Sequence, residues 1–125
     1  MKLSSSKPLK ILVLEDDIID RKLLERLLAK SSLPIEHVDT SGTLKQALDL
    51  IEKNEYDVIL SDLNLPDSKN LDTVTKLDEK APDIVKIVST GLDDEEIGVQ
   101  AIKQGADDYL VKGKIVEDVL ERSIC

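Results

Sequence analysis

Tyr56-Asp57-Val58-Ile59-Leu60-Ser61-Asp62-Leu63-Asn64-Leu65-Pro66 is the stretch that decides the fold. Its apolar core is short and continuous, as in a strand buried on both faces, and it stops at a lone aspartate before a proline-bearing loop. Three other runs have the same form. Ile11-Leu12-Val13-Leu14 runs into Glu15-Asp16-Asp17, Ile84-Val85-Lys86-Ile87-Val88-Ser89 into Thr90, and Tyr109-Leu110-Val111 into Lys112. As parallel strands of one sheet, the four would end along a single edge. That edge would carry a carboxylate cluster, an aspartate, a hydroxyl and an ammonium, at the place where open α/β sheets bind ligands.

Between the runs lie helical patterns. Ile19, Leu23, Leu24, Leu27 and Leu28 share one face of a first helix, with Asp17 or Asp20 as its N-cap, and Ser31-Ser32-Leu33-Pro34 stops it. Ile35 to Thr40 alternates, which predicts a weaker strand near an edge. Leu44, Ala47, Leu48 and Ile51 mark a second helix, and Leu71, Val74 and Leu77 a third. Asp93-Asp94-Glu95-Glu96 opens a fourth, where acids suit the positive end of the helix dipole. Ile97, Ala101 and Ile102 form its apolar face, and Gly105 follows as a C′ residue. Ile115, Val119 and Leu120 lie on a last helix. Five β/α units with short connections and right-handed crossovers predict an α/β, doubly wound, five-stranded parallel sheet with five flanking helices.

Composition narrows the function. The 125 residues suit one domain, expected at 10–125 behind a flexible N-terminal segment, 1–9. With two aromatic residues in the whole chain, Tyr56 and Tyr109, the core must be Leu, Ile and Val. The net charge of −9, without a basic patch, argues against direct nucleic-acid binding. No apolar run is long enough for a signal core or a membrane span, so no membrane association is expected. Cys125, the single cysteine, excludes an intrachain disulfide and fits a cytoplasmic setting. His37, the one histidine, reads as an ordinary surface or packing residue.

Hard oxygen ligands from Asp16, Asp62 and Glu15 suit Mg²⁺, which takes one or two carboxylates together with waters and phosphate oxygens. Beside such an ion an aspartate can act as nucleophile toward a phosphoryl donor. Thr90 and Lys112 would then face the phosphoryl oxygens.

These motifs, in this order, resemble the receiver domain of two-component response regulators over roughly Lys10 to Ile124. The resemblance implies a CheY-like, flavodoxin-like fold with strand order 2-1-3-4-5, used as a phosphorylation switch and not as an enzyme with a substrate of its own. It implies Asp62 as phospho-acceptor and Glu15, Asp16, Asp62 and the backbone carbonyl of Asn64 as Mg²⁺ ligands. Thr90 and Lys112 would bind the phosphoryl group, and Thr90 with Tyr109 would form the switch. The implied partners are a sensor histidine kinase or phosphotransfer protein. A homodimer could form through the surface of the fourth helix, fifth strand and fifth helix, which includes Glu95, Gln100, Lys103 and Tyr109.

The chain departs from the family pattern at a few positions. Glu15 stands where Asp is commoner, Gly113 follows Lys112 where proline is usual, and Asp67-Ser68-Lys69-Asn70 lacks a glycine, which leaves Asn70 to take the left-handed conformation. Leu92, at a position that tunes phosphoryl lifetime, cannot hold a hydrolytic water by hydrogen bonding, so slow self-dephosphorylation is expected. Two alternatives compete. One is a pseudo-receiver, an interaction module that works without phosphorylation. The other is an aspartate-nucleophile phosphohydrolase, disfavoured because the chain has no room for a cap.

Overall fold

The computed structural model describes residues 8–91, 94–115 and 117–124. Strands and helices alternate as β1 (Leu9–Leu14), α1 (Ile18–Lys30), β2 (Ile35–Ser41), α2 (Leu44–Lys53), β3 (Val58–Asp62), α3 (Asn70–Lys80), β4 (Val85–Thr90), α4 (Glu95–Gln104), β5 (Asp108–Val111) and α5 (Glu117–Ile124). All strand pairs are parallel and the sheet order is β2-β1-β3-β4-β5, the expected 2-1-3-4-5. β2 is the edge strand that its weak alternation predicted.

Successive strand residues point to opposite faces, so each continuous apolar run supplies two cores. Ile11, Val13, Leu60 and Ile87 meet Leu24 and Leu28 of α1 and Leu120 and Ile124 of α5. Leu12, Leu14 and Ile59 face the other way, onto Leu44 and Ala47 of α2 and Leu77 of α3. Val88 packs with Val74 and Ala101 beside α4. Register fixes the functional edge: Leu14 pairs with Ser41 and Ser61, Asp62 with Ser89, and Thr90 with Val111. The residues that follow these strands therefore emerge side by side.

Three sequence expectations need correction. Ile19 and Leu23, assigned to the buried face of α1, are exposed, as is Ile18. The first turns of α1 begin at the carboxyl edge, past the last residues of β1, and the helix reaches the sheet only from Leu24 onward. Ile102 of α4 is likewise exposed, and the buried positions of that helix are Gly98 and Ala101. Leu9, counted with the flexible segment, is a buried residue of β1 whose N–H donates to the Pro34 carbonyl at 2.7 Å. Residues 1–7, Leu92, Asp93 and Cys125 lie outside the described residues.

Local chemistry sets the helix starts. Asp17 is the N-cap of α1, accepting from the N–H of Ile19 and Asp20. Thr43 caps α2, and Asp67 reaches across from the loop after β3 to accept from Leu44 N–H at 2.8 Å and Lys45 N–H at 2.9 Å. Asn70 opens α3 with φ +50°, the left-handed conformation expected of it. Gly105 ends α4 with φ +129°, and a Cβ there would fall 2.6 Å from Cγ of Asp78. That carboxylate pairs at 3.1 Å with Lys86, whose buried ammonium also donates to the carbonyls of Ala81 and Ile84.

The Asp67 contact makes a pH-dependent prediction. Partial burial pushes Asp67 up, but the N–H donors of Leu44 and Lys45 outweigh it and hold the carboxyl below its ordinary 3.8. A depressed carboxylate stabilises the fold fully above its unfolded pKa, and the contribution is lost as pH falls through the lower folded value. Asp67→Ala is expected to cost about 1 kcal/mol at neutral pH, the usual worth of a helix cap. In urea unfolding, the gap between wild type and variant should stay constant above pH 5 and close below about pH 4. A pH-independent gap would sink this assignment.

Candidate functional site

The carboxyl edge gathers its groups around one cation. Lys112 follows β5, and its backbone N–H donates to the Thr90 carbonyl at 2.7 Å, which docks the end of β5 against β4. Its ammonium lies 2.8 Å from Asp62 Oδ2, 3.1 Å from Glu15 Oε1 and 3.2 Å from Asp20 Oδ2. Asp62 and Asp20 accept hydrogen bonds from it, whereas the Glu15 contact is an ion pair without hydrogen-bond geometry.

The electrostatics follow from burial. Glu15 is fully buried, and desolvation followed by the charge of Asp62 pushes its carboxyl up to about 7, against the pull of Lys112. Burial also opposes the charge on Lys112, but Asp62 and Glu15 prevail and hold it well above the ordinary lysine value. One ammonium thus serves several carboxylates, leaving an excess of negative charge that a divalent cation would neutralise. Glu15, Asp16 and Asp62 each offer an oxygen, all within 4.8 Å of one another. Asp16 is exposed, Glu15 is buried and Asp62 is nearly so, giving one open side. An all-oxygen set with an open side fits Mg²⁺, which keeps several waters.

In front of Asp62 is a cleft of about 180 Å³, walled by Asn64, Asn70, Thr90, Asp94 and Lys112 among others. A tetrahedral oxyanion with attendant waters fits that space. The Thr90 hydroxyl is buried there without a hydrogen-bond partner. An unsatisfied buried hydroxyl is costly and calls for a ligand. Asn64 donates its backbone N–H to Asp62 Oδ1 at 3.2 Å, and its side-chain oxygen accepts from Asn70 N–H at 3.3 Å. A larger groove of about 580 Å³ runs between α1 and β2, and none of these residues lines it.

The structure thus brings together Glu15, Asp16, Asp62, Thr90 and Lys112. Tyr109 stands two residues before Val111, the β5 partner of Thr90, with its ring half-buried against α4. Asp20 was read only as a candidate cap, and its pairing with Lys112 was missed. The signal was its place in the first turn of a helix that starts at the carboxyl edge. Ser89, the register partner of Asp62, was also missed: its buried hydroxyl has no partner and lines the same cleft. Gly113 adopts φ +89°, a conformation closed to the proline usual at that position.

Comparison with known proteins agrees with this geometry. The family model described as "Response regulator receiver domain" matches residues 11–123. The nitrate/nitrite response regulator NarL of Escherichia coli K12 is 34% identical over 119 residues, covering 95% of this chain and 55% of NarL. The response regulator MprA of Mycobacterium sp. strain KMS is 33% identical over 115 residues, covering 92% and 49%. The chain spans about half the length of these curated relatives. Among solved structures, the beryllofluoride-activated NtrC4 receiver domain dimer superposes with a TM-score of 0.77 at 32% identity, covering 91% of this chain and 92% of that one. A Clostridium thermocellum receiver domain reaches a TM-score of 0.80 at 25% identity, covering 93% and 90%. The chain belongs to the response regulator receiver domain family, the signalling domains of two-component systems. No helix among the described residues is long and apolar enough to cross a membrane.

The charge balance predicts the outcome of removing the cation. Lys112→Ala leaves Glu15, Asp20 and Asp62 facing one another. In metal-free buffer it should lower the unfolding free energy by about 2 kcal/mol, less than a fully buried pair because the ammonium is partly exposed. Adding Asp62→Asn should recover part of that loss, since it removes one of the repelling charges. An additive double variant in urea denaturation would count against the arrangement.

Proposed function

We propose that Asp62 is the phospho-acceptor of a switch that takes its phosphoryl group from a histidine kinase or phosphotransfer protein. The observation that carries the proposal is the Asp62 carboxylate held 2.8 Å from Lys112 at a cleft where the Thr90 hydroxyl is buried and unpartnered. An Asp62 oxygen attacks the phosphorus of the donor, forming a P–O bond. The donor's P–N bond breaks, and its electron pair leaves on the imidazole nitrogen. Lys112 shifts from the free carboxylate to a phosphoryl oxygen, and Thr90 donates its hydroxyl to another. Glu15, Asp16, Asp62 and the Asn64 carbonyl would hold Mg²⁺, which when bound supplies charge neutralisation for the incoming phosphoryl group.

The acyl phosphate shifts an equilibrium between two arrangements of the same fold. Movement of Thr90 toward the phosphoryl group makes room for Tyr109 to follow, which alters the α4–β5–α5 face. Glu95, Gln100 and Lys103 lie on that face, and exposed Val99 and Ile102 give it apolar area for a partner or a second copy of the chain. A cytoplasmic setting suits the kinase partnership, and the working domain would include Leu9, the first residue of β1. The family resemblance puts an apolar residue, Leu92, at the position that tunes phosphoryl lifetime, so the acyl phosphate should be long-lived.

Intact mass spectrometry after incubation with acetyl phosphate and Mg²⁺ tests the proposal. The wild type should gain one phosphoryl group, while Asp62→Asn, and wild type in EDTA, should gain none. Lys112→Ala should be modified about 10²-fold more slowly, the typical cost of one lost charge-stabilising donor. An unmodified wild type that also fails to bind Mg²⁺ by titration would leave a constitutive interaction module instead.

A further inference from the structure

Helix α4 carries a buried glycine as its fourth residue, Gly98. Glycine is the least favourable residue for a helix interior after proline, because the unfolded chain loses the most freedom there. Its backbone is otherwise regular, with the N–H donating to the Asp94 carbonyl at 3.2 Å, so no unusual dihedral requires it. The space around it does. A Cβ at position 98 would fall 2.6 Å from Cγ and 2.9 Å from Cε2 of Tyr109, and its three nearest atoms all belong to that ring. The ring, on β5, therefore rests on bare helix backbone. Around it pack Val88, Ala101 and Ala106, which leave it half-buried.

We infer that Gly98 is a positioning residue: its missing side chain is the seat in which the Tyr109 ring rests before phosphorylation. The assignment of that state follows from Asp62, whose carboxylate is still paired with Lys112. The inference rests on the proposed reading of Tyr109 as the switch. A methyl group at position 98 raises the energy of the seated arrangement and leaves any arrangement with the ring elsewhere untouched. By linkage, whatever favours the unseated state then binds more tightly.

The chain's composition makes the test direct, because Tyr56 and Tyr109 are its only aromatic residues apart from His37. Labelling with 3-fluorotyrosine gives two ¹⁹F resonances, with Tyr56, hydrogen-bonded to Asp39 at 2.6 Å, as the internal reference. In Gly98→Ala the Tyr109 resonance should move while that of Tyr56 stays. Beryllofluoride with Mg²⁺, a phosphoryl mimic, should bind the variant several-fold more tightly than the wild type. A second arm needs no phosphoryl chemistry. Gly98→Ala should lower Tm in the wild type, and raise it by a few degrees in Tyr109→Ala, where only the helix preference for alanine remains. An equal rise in both backgrounds with an unmoved Tyr109 resonance would overturn the seat. Should beryllofluoride fail to bind the wild type while the Tm signs oppose, the seat stands and the phosphorylation reading falls.

Discussion

A cluster of buried carboxylates cannot stay together without a counter-charge, and here one ammonium supplies it. Lys112 contacts Glu15, Asp20 and Asp62, groups contributed by the end of β1, the first turn of α1 and the end of β3. The lysine itself is fixed by the bond from its N–H to the carbonyl of Thr90. The chain at residues 15–20, 62, 90 and 112 is thereby tied at one point, and the tie depends on the parallel register that ends the strands together. Glu15 feels the imbalance most, because it is fully buried and meets the cation without a hydrogen bond. The same imbalance that makes the edge costly makes it suited to a divalent ion and a transferable oxyanion.

Much of this was legible because strands buried on both faces leave an unambiguous trace. Val58–Ser61 and Ile11–Leu14 read as continuous apolar runs, and the polar residues that end them are the site. Helix faces were less legible. Ile19, Leu23 and Ile102 have the spacing of buried positions, yet spacing cannot say how far a helix overhangs the sheet beneath it. Asp20 and Asp67 escaped for another reason. Each is an unremarkable surface acid whose importance lies in a partner 92 or 23 residues away.

Lys86 shows a further blind spot. It sits inside the β4 run, where the sequence names no partner for its charge. In the fold it is buried, its charge met by Asp78 and its remaining protons by the carbonyls of Ala81 and Ile84 in the connection between α3 and β4. Such a residue is a structural cap, and only three-dimensional proximity reveals it. The family departures, by contrast, have local explanations. Asn70 takes the left-handed conformation that a glycine would otherwise supply, and Gly113 takes a positive φ that proline could not.

The helix termini at the carboxyl edge are not held alike. Asp17 secures α1, while Thr43 and Asp67 together secure α2. α3 has no side-chain cap, but Thr73 in its first turns bonds the Leu63 carbonyl and pairs with the Ser68 hydroxyl, which anchors it to the loop after Asp62. α4 begins close to Thr90 and, among the described residues, has no side-chain hydrogen bond at its start, where Glu95 makes only a loose, exposed ion pair with Lys114 at 3.9 Å. Of these four starts, that of α4 is the one without a side-chain hydrogen bond among the described residues, so a small displacement beside Asp62 would be opposed there by main-chain bonds and packing alone.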